Sequence, residues 1–93
     1  MTLKVTNNTL KKVEISINYW STDKGGATDK YYVVNPGETT GSWNRSDSRG
    51  YVMAMKKNDI NSSYAISSNS HVIIYDLSVT NNNLLILPFA ITP

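Results

Sequence analysis

Val13-Glu14-Ile15-Ser16-Ile17-Asn18-Tyr19-Trp20 alternates apolar and polar side chains with a period of two. Successive side chains of a strand point to opposite faces, so this octet predicts a half-buried β-strand. Val13, Ile15, Ile17 and Tyr19 share the face expected in a core. Glu14, Ser16, Asn18 and Trp20 share the other, and Trp20 is outward unless a bulge shifts it.

The same reading extends to Thr2–Thr6, Lys30–Val34, Glu38–Arg45, Gly50–Lys56, Ser63–Ser67, His71–Val79 and Leu84–Ile91, giving about eight short strands. Turn chemistry separates them: Asn7-Asn8, Lys24-Gly25-Gly26, Asn35-Pro36-Gly37, Ser46–Arg49, Asn58-Asp59, Ser68-Asn69 and Asn81–Asn83. Asn35-Pro36-Gly37-Glu38 suits a type II turn, with Pro presetting φ at the second position and Gly taking positive φ at the third. Asn, Ser and Thr supply 31 of 93 residues, and their side chains compete with helical backbone hydrogen bonds. The expected fold is all-β: a single domain over residues 1–93, an antiparallel β-sandwich of jelly-roll or Greek-key type.

Three runs are apolar on both faces: Tyr51–Met55, His71–Leu77 and Leu84–Ile91. An isolated sandwich should solvate one face of each sheet. The pattern therefore points to a homodimer interface, to a terminal strand wrapped by loops, or to a small core that uses both sheets.

Composition excludes several classes. With no cysteine there is no disulfide, no Cys-based metal site and no thiol nucleophile. A net charge of +2, with Lys11-Lys12 and Lys56-Lys57 as isolated pairs, gives no basis for nucleic-acid binding. The longest apolar run has eight residues and contains Pro88, under half of the roughly 20 a transmembrane helix needs. Met1–Thr6 carries no signal-peptide pattern, which leaves the compartment unassigned: cytoplasmic, or secreted by a non-classical route.

Catalysis is poorly provided for, and the expectation is a protein that is not an enzyme and uses no cofactor. His71 is the single histidine, at the start of a strand, and no Gly-x-Ser-x-Gly elbow is present. The plain reading is a strand-end histidine held by local packing or hydrogen bonds. Asp76 alone interrupts an apolar run; it either titrates high in a buried site or points outward at a sheet edge. Asp23 and Asp29 bracket a glycine loop but lack the register of a Ca²⁺ loop, so a solvated hairpin is expected and no metal. Asn7-Asn8-Thr9, Asn44-Arg45-Ser46 and Asn61-Ser62-Ser63 match the N-glycosylation pattern, which arises often by chance in a chain this rich in Asn and Ser.

The densest chemistry lies in Ser42-Trp43-Asn44-Arg45-Ser46-Asp47-Ser48-Arg49-Gly50-Tyr51. Aromatic faces stack on sugar C–H groups, while Asp, Asn and Arg offer forked hydrogen bonds to hydroxyls and acidic substituents. Trp43, Asn44, Arg45, Asp47, Arg49 and Tyr51 are the expected ligand-binding set, with Trp20 as a second platform. The competing reading makes Trp43 a core residue, Arg45 and Asp47 an exposed ion pair and Gly50 a bulge.

Val5-Thr6-Asn7-Asn8-Thr9, Asn35-Pro36-Gly37-Glu38 and Ser42–Asp47 resemble, over about the first half of the chain, small cysteine-poor β-sandwich hemagglutinins of the slime-mould type. That resemblance implies a lectin that binds cell-surface glycans or glycoproteins. The same stretches resemble aegerolysins more faintly, which implies binding to membrane lipids. The chain is shorter than an aegerolysin and lacks its later tryptophan-rich segment. Three expectations follow: a lectin reading glycans through the Trp43–Arg49 loop; a lipid binder using Trp20, Tyr31, Tyr32 and Trp43; or a structural protein-interaction module using the Leu84–Ile91 edge.

Overall fold

The computed structural model describes residues 3–93; the start of the first expected strand, at Thr2, lies outside the described residues. Ten strands form: β1 Lys4–Asn7, β2 Val13–Ile17, β3 Tyr32–Val34, β4 Thr39–Thr40, β5 Tyr51–Lys57, β6 Ile60–Ile66, β7 His71–Ile74, β8 Val79–Asn81, β9 Leu84–Ile86 and β10 Ala90–Thr92. They build two five-stranded sheets, in the orders β4-β1-β7-β8-β9 and β10-β6-β5-β2-β3. The all-β sandwich read from the sequence is the fold. Among the described residues there is no helix, and so none long and apolar enough to cross a membrane.

Two expected runs each became two strands, which raises the count from eight to ten. His71–Val79 turns at Tyr75–Ser78, where the Tyr75 N–H donates to the Ser78 carbonyl (2.8 Å). Leu84–Ile91 breaks around Pro88, which cannot donate to a ladder; β9 stays in one sheet and β10 joins the other. Glu38–Arg45 shrinks to the two residues of β4, because the chain beyond it makes backbone and side-chain bonds with another loop. All strand pairs are antiparallel except β1 with β7, where Lys4–Asn7 runs alongside His71–Ile74. These strands are distant in sequence, so no hairpin constrains their relative direction.

The turns follow their residue chemistry. Asn58-Asp59 and Asn82-Asn83 all take positive φ (53°, 62°, 51° and 70°), the requirement of the type I′ loops that join β5 to β6 and β8 to β9. Gly37 sits at φ 79° and the Glu38 N–H donates to the Asn35 carbonyl, completing the expected Pro-Gly turn.

The core is the set of inward positions of both sheets. Val5, Val72, Ile74 and Val79 come from one; Val13, Ile15, Ile17, Val34, Met53, Met55, Tyr64 and Ile66 come from the other. The expected inward place of Tyr19 is corrected: β2 ends at Ile17, the alternation lapses, and Tyr19 is exposed. Trp20 swings back to pack partly against the core.

Candidate functional site

The expected ligand set lies where two long loops meet, residues 18–31 between β2 and β3 and residues 41–50 between β4 and β5. The loops are closed on each other. Ala27 N–H donates to the Ser42 carbonyl (3.1 Å), and Gly26, at φ 74°, packs so tightly against the Trp43 backbone that an added Cβ would collide with it. That contact holds Trp43 inward. Its indole is 1% exposed, in the same cluster as Ile15 and Met53, and its Nε1 has no hydrogen-bond partner among the described residues. The expected stacking role of Trp43 is thus corrected, since no ring face reaches a ligand.

Arg45 is corrected for a related reason. It is 2% exposed, and its guanidinium donates to four backbone carbonyls: Asn18 (2.7 Å), Ile17 (2.8 Å), Thr28 (3.2 Å) and Trp43. The planar fork gathers the end of β2 and both loops into one knot. Those donors are committed to the fold, and the ion pair of Arg45 with Asp47 in the competing reading does not form, Asp47 pairing with Arg49 instead. Asn44, between Trp43 and Arg45, takes a left-handed φ of 57° and leaves its side chain at the surface.

Asp47, Arg49, Tyr51 and Trp20 do come together. Asp47 receives Arg49 Nε (2.9 Å) and Nη2 (2.7 Å) as a two-pronged pair, together with the Thr22 hydroxyl (2.6 Å). The Arg49 guanidinium carbon lies 3.8 Å from the centre of the Trp20 ring and covers one face of it. Trp20 Nε1 donates to the Gly50 carbonyl (2.8 Å). The buried Tyr51 ring sends its hydroxyl to Asp23 (2.9 Å) and accepts the Asp47 N–H (2.7 Å).

Asp23, by sequence an ordinary loop carboxylate, is the hub of this closure. It accepts the N–H groups of Trp20 (2.9 Å) and Ser46 (3.0 Å) besides the Tyr51 hydroxyl. Burial pushes its pKa up, but these hydrogen bonds and the Arg45 charge outweigh that and leave it below the usual value of 3.8. Asp47 is held well below the carboxylate range by Arg49, then by Thr22. Burial raises the Tyr51 hydroxyl, helped by its bond to Asp23. The signal that could have found Asp23 was its place three residues after Trp20, the spacing at which a capping-box side chain reaches back to a backbone N–H.

Other expected groups have local explanations. His71 is half-buried and its Nε2 lies 2.9 Å from the Thr6 hydroxyl, as a strand-end histidine should be. Asp76 is exposed in the β7–β8 turn. Asn7, in the first N-x-T match, is fully buried: it donates to the Lys11 and Val34 carbonyls and accepts from the N–H and hydroxyl of Thr9. Among the described residues no three His, Cys, Asp or Glu side chains gather to hold a metal ion.

The second candidate is the C-terminal edge. β9 and β10 are the outermost strands of the two sheets and are joined by only Leu87-Pro88-Phe89. Register carries the inner face from Val72 through Asn81 to Leu84, and from Met55 through Ser62 to Ile91. Leu84 and Ile91 should therefore be core residues. They are 72% and 63% exposed, so the sandwich is open along this side. A cleft of about 250 Å³ enters there, with Met55, Ile60, Tyr64, Pro88 and Ile91 on its apolar side and Lys57, Asn58, Ser62 and Asp76 on its polar side. Leu85, Leu87 and Phe89 are also exposed, and no charged residue interrupts Leu84–Ile91.

Searches of protein-family models, of curated proteins and of solved structures gave no match to this chain, so the functional reading rests on the geometry above.

Proposed function

We propose that this domain is a protein-interaction module that associates with a second copy of itself along the β9–β10 side. The observation that carries this reading is the exposure of Leu84 and Ile91, side chains whose register assigns them to the inner faces. Monomeric sandwiches protect free edges with Lys, Pro, bulges or short strands, because unpaired N–H and C=O groups template further pairing. Here the edges are short, but the strip is uncharged, and Pro88 lies between the strands rather than within either. Pairing edge to edge about a twofold axis presents the same strip from both copies and covers the open cleft. A large apolar strip brought out of water in this way has the character of a subunit interface.

Sedimentation velocity over a wide concentration range tests the reading. The expected result is a dimer that the double substitution Leu85→Asp, Leu87→Asp converts to a folded monomer. A wild-type chain that stays monomeric at every concentration overturns it.

Glycan recognition at the loop junction is the second reading. It is favoured by the surface left there: exposed Asn18, Tyr19, Asn44 and Arg49 beside a half-buried Trp20, all on hydrogen-bonded loops. A glycan array with wild type and Trp20→Ala decides it; no signal from wild type removes the lectin reading without touching the first.

A further inference from the structure

We infer that the end of the sandwich bearing Leu10 and Leu77 docks on an anionic lipid bilayer. Leu77 is 99% exposed and Leu10 is 89% exposed, the two most exposed large apolar side chains described. Both border a single cleft of about 320 Å³ with Lys11 and Lys57, so the β1–β2 and β7–β8 loops stand side by side.

Neither leucine is on a loose loop. The β1–β2 loop is pinned from below by Asn7 and Thr9, both buried, whose side chains bond one another and the Lys11 carbonyl. The β7–β8 loop is closed by the Tyr75 to Ser78 bond, and Lys57 Nζ ties it down through the Tyr75 (2.8 Å) and Asp76 (2.6 Å) carbonyls. The fold therefore builds two rigid tips and puts one leucine at the point of each. Fully exposed leucines at two neighbouring loop ends fit a deformable apolar phase, whereas a protein partner would need matching sockets.

The lysine pair beside Leu10 selects the kind of surface. Lys11 and Lys12 follow Leu10, and an adjoining cleft of about 450 Å³ is lined by Lys11, Lys12 and Lys56 together with Glu14 and Asp59. Counting Lys57 and Asp76, four ammonium groups stand against three carboxylates; Lys56 Nζ lies over the Tyr31 ring (4.2 Å) and Lys57 Nζ is held by the loop carbonyls, so the exposed Lys11 and Lys12 are the pair left to meet headgroups. Lysines beside inserted apolar residues interact favourably with negatively charged headgroups. The two leucines are distinct from the aromatic set Trp20, Tyr31, Tyr32 and Trp43, of which Trp43 is sealed in the core.

Co-sedimentation of the full chain with vesicles of phosphatidylcholine alone, and of phosphatidylcholine mixed with phosphatidylserine, tests the inference. Expected are binding to the mixed vesicles, at least about tenfold weaker binding to the neutral ones, and a comparable loss in Leu10→Ser, Leu77→Ser and in Lys11→Glu, Lys12→Glu. All four positions are exposed, so thermal melting should confirm that each variant folds. The proposal is overturned if wild type ignores both kinds of vesicle, binds both equally, or binds as well after the leucine substitutions. None of those results bears on association through β9 and β10, which is read from sedimentation without lipid.

Discussion

The loop junction and the C-terminal edge solve opposite problems. At the junction, polar and charged groups that looked free to meet a ligand have satisfied one another: Arg45 on carbonyls, Asp23 on N–H groups and a phenol, Asp47 on Arg49. Along β9 and β10, apolar groups that looked destined for a core have found no cover. Buried polar groups must be paired, so a cluster of them is as ready to be internal mortar as a binding site. An apolar side chain left outside has no internal partner to explain it, and is therefore the better pointer to association.

The contrast is broken most forcefully at Arg45. Arg45→Ala leaves four carbonyls, two of them in fully buried bonds, without their donor and should cost about 3 kcal/mol, read as a fall in the chemical-denaturation midpoint. Arg45→Lys should recover only part of that, since an ammonium cannot reproduce the planar fork. If Arg45→Ala folds as stably as wild type, the guanidinium is not the clamp described. Trp43→Ala should cost about 3–5 kcal/mol, whereas Trp43→Phe should cost far less because the indole N–H has no bond to lose.

Gly26→Ala tests the loop contact itself. A methyl group there meets the Trp43 carbonyl and a positive φ, and destabilisation above about 1 kcal/mol is expected in the same assay.

Acid sharpens the comparison from another side. Asp23 and Asp47 have folded pKa values below their ordinary ones, so their contribution is complete above the usual value of 3.8 and is lost as pH falls from there through the folded values. Tryptophan fluorescence should report the junction loosening at acidic pH while far-ultraviolet dichroism still reports strands. Asp47→Asn should lower stability at neutral pH and flatten its dependence on pH below the carboxylate range. At the other region, Leu85→Asp with Leu87→Asp should change monomer stability by no more than about 0.5 kcal/mol and yet abolish association. A large stability loss there would mean that the strip is core after all.

Much of the frame was legible beforehand. Period-two alternation in Val13–Ile17, Asn-rich loops and the Pro36-Gly37 turn are local signals, set by side-chain direction and φ preference within a few residues. The double-sided apolar character of Leu84–Ile91 was equally plain. The end of β2 at Ile17 was not, because Arg45 drains the carbonyls of Ile17 and Asn18 from a loop 27 and 28 residues away.

By itself the chain determined an all-strand sandwich, the places of its tightest turns and an apolar C-terminal segment with no charge to interrupt it. Only the tertiary structure decided that Trp43 and Arg45 face inward, that Asp23 joins two loops, and that Leu84 and Ile91 stay in water. The physical reason is that alternation and turn chemistry act between neighbours along the chain. The burial of an arginine, by contrast, depends on which distant carbonyls are brought within hydrogen-bonding reach, and no local pattern records that.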